Sequence, residues 1–139
     1  MITLNIDLRD EINIDFYFKA LAFLAIHDDG LIDEHEKAFI LAQGGIYGIN
    51  AQPYLEARPD WRDVEISAEN PSRETALSVV RDGIALGYIN GQCSPEQREI
   101  LYEVASRLGL KNDDVDAVEG WLKEYWAVLE KGNRLLQGA

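Results

Sequence analysis

Between Ile14 and Asp28 the chain reads IDFYFKALAFLAIHD, with apolar residues on every side of a 3.6-residue period and no Gly or Pro. That pattern predicts a helix buried all round rather than along one stripe. A second helix opens at Asp33, which forms a capping box with Glu36 three residues on, and it is expected to run to about Gln43, where Gly44 and Gly45 stop it. A third covers about Pro71 to Ile89, with Asn70 as cap, Pro71 in the first turn, and Leu77, Val80, Ile84 and Tyr88 on one stripe. The fourth begins SPEQREILYEVASRL: Ser94 caps, Pro95 takes the first helical position, Gln97 closes a second capping box and Gly109 ends the helix. The last, about Asp113 to Lys131, carries Val115, Val118, Leu122, Tyr125 and Leu129 as one seam backed by Trp121 and Trp126. Asp113, Asp114 and Asp116 stand at its positive end.

These signals predict an all-α bundle of about five helices in a single domain spanning 1–139. Residues 1–12 contain ITLNIDL, whose alternation reads as an extended arm lying on the helices or on another copy of the chain, because no partner strand is visible. Residues 48–72 hold three of the four prolines and form the connection between the two halves, with one short helix near Gln52 to Arg58.

Composition narrows the function classes. With 139 residues, 47 % of them hydrophobic, the chain can bury a core without metals or disulfides. Its formal charge of −12 repels a phosphate backbone and attracts cations or basic protein surfaces, so nucleic acid is not an expected partner while other proteins are, and the extended arm admits a homo-dimer. No apolar run approaches the roughly 18 residues of a membrane span, and the first residues lack the charge and apolar pattern of a secretory signal. The lone Cys93 agrees with a reducing compartment, and a cytoplasmic protein is expected.

The two halves are related. Sliding one over the other by 61 residues lays HDDGLIDEHEKAFI on YINGQCSPEQREIL, which pairs Asp29 with Asn90, Gly30 with Gly91, Ile32 with Cys93, Asp33 with Ser94, Glu36 with Gln97 and Lys37 with Arg98. Two helical hairpins packed together, with the fifth helix across them, are expected.

In the first copy His27, Asp28, Asp29, Asp33, Glu34, His35 and Glu36 crowd within ten residues. Carboxylates this close are relieved by solvent, by a raised pKa or by a bound cation. Calcium or magnesium suits oxygen ligands, and the histidines admit zinc. The spacing Asp29-Gly30-x5-Glu36 matches the second half of an EF-hand loop, but Ala25 and His27 stand where the first half needs ligands. The remaining donors must come from elsewhere, and the repeat points to Asn90 and Gln97. Asp33 and Glu36 are equally accounted for as a capping box alone, and Asp29-Gly30 as a helix-ending turn.

Two buried helices, each followed by an Asp-or-Asn plus Gly turn, an apolar plug, a cap and an acid or amide, and the stretch ILYEVASRLGL resemble the TerB-like tellurite-resistance proteins over about residues 14–129. That resemblance implies an all-helical, non-enzymatic protein of metal or oxidative stress response whose acidic turns hold a divalent cation. On matching positions it makes Asp29 and Glu36 ligands, while the family's acids in the second copy stand here as Asn90 and Gln97, a loss of two charges. An alternative is a helical interaction module without a metal, resting on those neutral residues and on the Trp-bearing last helix. Cys93 reads as a small core residue. His27 and His35 do not make a His-Glu-x-x-His motif, no nucleophile and base stand at a catalytic spacing, and Asp82, inside an apolar segment, is expected to be paired.

Overall fold

The computed structural model describes residues 11–26, 32–57, 72–89 and 94–138. Among them are six helices: α1 (Glu11–Ile26), α2 (Glu34–Ile46), α3 (Gln52–Ala57), α4 (Arg73–Tyr88), α5 (Pro95–Arg107) and α6 (Asn112–Leu136). The class is all-α, as expected. The count is one more than five because the short helix inside the connection stands as an element of its own. The expected arm overlaps the structure only at its end, where residues 11 and 12 already belong to α1; the rest of the arm, and residues 58–71 of the connection, lie outside the described residues.

From Ile14 to Ile26 no residue of α1 is exposed, and Tyr17, Phe18, Leu21 and Phe23 are almost fully enclosed. A helix apolar all round must be covered on every side. It packs most extensively on α4 and is flanked by α2, α3 and α5. Each enclosed side chain of this size contributes roughly 1.5–3 kcal/mol through burial. A second core cluster, with Val80, Ile84, Leu101, Val115 and Leu122, joins α4 and α5 to α6. The last helix leans chiefly on these two partners instead of crossing both hairpins. The corresponding place beside α1 is taken by α3.

Helices α2 and α5 begin and end 61 residues apart, the same shift that aligns the sequence halves. Both start with a complete capping box, Asp33 with Glu36 and Ser94 with Gln97. Both also end alike. Gly48 and Gly109 take positive φ of 70° and 81°. The Ile49 N–H donates to the Gly44 carbonyl at 2.7 Å, as the Leu110 N–H does to that of Ala105 at 2.9 Å. This is a Schellman closure in each case.

The expected stop at Gly44 and Gly45 is corrected, since both lie inside α2 and Gly48 terminates it. Gly44 is required for a different reason: a Cβ there would lie 2.5 Å from the Ile49 carbonyl oxygen, whereas one on Gly45 would meet nothing. The cap of α4 is likewise Ser72 and not Asn70, with the Ser72 Oγ accepting from the Thr75 N–H at 3.2 Å. Asn70 and Pro71 lie outside the described residues. Helix α6 runs five residues past the expected Lys131.

The neighbouring glycines should therefore respond oppositely to alanine. Gly44→Ala forces a methyl against backbone and should cost about 2–3 kcal/mol, while Gly45→Ala should add about 0.5 kcal/mol through helix propensity. Denaturant unfolding of both variants checks this, and equal effects would contradict the close approach at Gly44.

Candidate functional site

Each capping box orients one side chain, an acid in the first half and its neutral counterpart in the second, and packing brings the two to a common place. In the first, the Glu36 N–H donates to Asp33 Oδ1 at 2.8 Å and the Asp33 N–H to Glu36 Oε1 at 3.3 Å. In the second, the Gln97 N–H donates to Ser94 Oγ at 3.1 Å and the Ser94 N–H to Gln97 Oε1 at 2.8 Å. Such reciprocal bonds satisfy helix-start donors and hold both long side chains in one orientation.

Glu36 and Gln97 then line the same cavity, of about 20 Å³. That is room for one water molecule. Gly83 and Gly87, one turn apart on α4, leave the space between them, and Leu24, Ile100 and Leu101 make up apolar wall. A Cβ on Gly83 would sit 2.8 Å from Leu24 Cδ1 and 2.9 Å from Leu101 Cδ1, so glycine is what lets α1 and α5 close over α4 here. Glu36 is only 2 % exposed, an unusual place for a carboxylate. Asp33 is half-buried and His35 is exposed.

Of the residues expected to ligate a cation, Glu36, Asp33 and Gln97 are thus placed, and Glu36 and Gln97 share one cavity. Asp28, Asp29 and Asn90 lie outside the described residues, as do His27 and Cys93. Among the described residues no group of three or more His, Cys, Asp or Glu is arranged to hold a metal ion. Ile32, the plug of the first turn, packs against the core around α1 as the repeat implies.

Two buried acids outside this place are held in polar clamps. Asp82, 6 % exposed, accepts from the Tyr17 hydroxyl across α1 and α4, and from Arg81 Nε and a terminal guanidinium nitrogen at 3.0 Å each. The Gln43 amide oxygen lies 3.3 Å from the same hydroxyl and ties in α2. Asp82 is accordingly paired, as expected. Burial, reinforced by Asp82, pushes the Tyr17 phenol far above its usual range, so it stays a donor. Burial would lower the Arg81 guanidinium, but the hydrogen bonds and charge of Asp82 outweigh it and the net direction is upward.

The second clamp carried no signal in the sequence. Arg98 donates to both oxygens of Glu119 at 2.7 and 2.6 Å, and the Tyr88 hydroxyl adds a bond of 2.7 Å, which links α5, α6 and α4. The Arg98 hydrogen bonds hold the Glu119 carboxyl below its ordinary range, overcoming desolvation, with Tyr88 assisting. At the far side of α1, the Tyr54 phenol is pushed up to about 12 by burial and by its hydrogen bond to Asp15 at 3.0 Å.

A carboxyl whose folded pKa is depressed stabilises fully above its unfolded value, about 4.3 for Glu, and loses that contribution as pH falls through the lower folded value. Glu119→Gln should therefore cost about 2 kcal/mol at pH 7, where it removes the opposite charge from a partly buried guanidinium, and the gap to the unaltered chain should shrink below about pH 4. Urea titrations at pH 7 and pH 3.5 measure it, and a gap that does not change with pH would contradict the ionised clamp.

Compared with known family models, curated proteins and solved structures, the chain finds no match.

Proposed function

We propose that this chain is a non-enzymatic stress-response protein of the TerB-like, tellurite-resistance kind, which takes a divalent cation at its acidic inter-helix turn. Asp29 and Glu36 act as the principal ligands, Asp28 and Asp33 supply further negative oxygens, and Asn90 and Gln97 complete the set with neutral ones. The observation that carries this reading is the shared cavity: the buried Glu36 and its repeat counterpart Gln97 face one small space at the starts of α2 and α5. A carboxylate has about four lone-pair sites, so a capping bond and ion coordination are compatible on Glu36. Oxygen donors in this number suit calcium or magnesium better than a soft metal. The ion would neutralise clustered carboxylates and pin the two turns together. The paired helix bounds, capping boxes and glycine closures at a spacing of 61 support the related-hairpin architecture on which the resemblance rests.

A second reading, an interaction module with no metal function, is favoured by one observation: Trp121, Tyr125, Val128 and Leu129 on α6 are between 42 % and 67 % exposed.

Thermal unfolding of the full chain in chelator and then in calcium, magnesium or zinc separates the two. A cation that binds only the folded state should add about 2.7 kcal/mol at 100 times its dissociation constant. Asp29→Asn with Glu36→Gln should remove that increment. No shift with any of the three metals would defeat the cation reading and leave the interaction module.

A further inference from the structure

Helix α6 is about 37 Å long at 1.5 Å per residue, and it is covered only as far as Trp126. Val115, Val118 and Leu122 are buried against α4 and α5. The same alternation of three and four residues continues through Tyr125, Leu129, Gly132 and Leu136, the pattern of a helix seam that meets another helix. On this second half the apolar side chains are open: Tyr125 is 43 % exposed, Val128 67 %, Leu135 71 % and Leu136 88 %. Trp126 does not belong to this face, since it packs edge-on against Tyr88 at 5.6 Å, while Trp121 stacks on Tyr125.

We propose that the projecting half of α6 is a self-association face, covered by the same face of a second copy in an antiparallel pair. Three observations select this occupant. The exposed apolar side chains from Trp121 to Leu136 present on the order of 650 Å² per copy, above what a monomer commonly leaves in one patch and near the roughly 800 Å² that each partner gives to a standard interface. Gly132 lies on the seam, and a Cβ there would meet nothing, so a second backbone has room to come close. Charge also permits a like partner at this place. Between Lys123 and Gln137 stand three basic and two acidic side chains, in a chain whose net charge is −12. Two copies therefore meet along this segment without strong repulsion.

The same charge sets the direction. A parallel pair would place two acidic bodies side by side. An antiparallel overlap from Trp121 to Leu136 holds them about 24 Å apart along the axis, several Debye lengths at physiological salt. Val128 and Leu129 then lie beside the two-fold axis, where each surface meets itself.

Sedimentation equilibrium of the full chain from about 1 to 500 μM tests the face, because only a second copy makes mass depend on concentration. The expected result is a rise from 15.7 kDa to twice that value, with a dissociation constant on the order of 10 μM. Val128→Glu with Leu135→Glu, both at exposed positions, should hold the chain at monomer mass with its helical circular dichroism unchanged. For direction, with Cys93 changed to Ser, Leu129→Cys should cross-link between copies at least tenfold faster than Leu136→Cys. Monomer mass at every concentration would overturn the interface, and equal cross-linking at the two positions would overturn the antiparallel arrangement.

Discussion

A helix without a polar face cannot sit at a surface, and α1 is such a helix. Its only charged residues between Ile14 and Ile26 are Asp15 and Lys19, which pair with each other at 2.7 Å, one turn apart, on its least covered side. Everything else along that stretch demands cover, and the order of the other helices follows. Helix α4 takes the longest contact, α2 and α5 close either side, and α3 caps the remainder through Leu55 and Tyr54, the latter stacked on Phe18 at 5.5 Å. Enclosing α1 also encloses the Tyr17 hydroxyl, and a buried hydroxyl needs a partner. Asp82 on α4 supplies it, with Arg81 balancing the charge. The polar core is thus a consequence of the apolar one.

Burying α1 against α4, with α2 and α5 closing over it, has a second result. It brings the starts of α2 and α5 toward the same region of α4, where Gly83 and Gly87 leave room. Glu36 and Gln97, oriented by their capping boxes, then look into one space. A feature that is purely local in the sequence, a cap acid three residues into a helix, becomes a shared feature of two distant segments because of packing alone.

Local chemistry was legible in the sequence. Caps at Asp33 and Ser94, the closure at Gly109 and the short helix near Gln52 depend on residues a few positions apart, so their signals survive without tertiary knowledge. Gly44 and Gly45 misled because glycine has two uses. It ends helices by taking positive φ, and it also admits a close neighbour; Gly44 serves the second use, to let the Ile49 carbonyl approach. Asn70 was an acceptable cap in type, yet Ser72, nearer the first buried turn, holds that role. The clamps are another matter. Tyr17 and Asp82 are 65 residues apart, and Glu119 stands 21 and 31 residues from Arg98 and Tyr88. No periodicity carries such pairings. For Asp82 the sequence showed only that a partner was needed, and for Glu119 nothing, since a glutamate on an amphipathic helix reads as solvent-facing. Of the candidate cation ligands, the capping members were placed by their local bonds, and their meeting across the repeat could be posed from sequence but required the packing of α1 to answer.

That meeting is the point on which the functional reading turns, and one substitution probes it without reference to any metal. Gln97→Glu puts a second carboxylate on the cavity that Glu36 already lines. If the two side chains face one space, their repulsion raises the folded-state pKa of the pair, so in chelator the variant should be less stable than the unaltered chain by about 1–2 kcal/mol at pH 7 and should regain that loss as the pH is lowered toward 5. Unfolding free energies that match the unaltered chain at both pH values would show that the two capping residues do not meet.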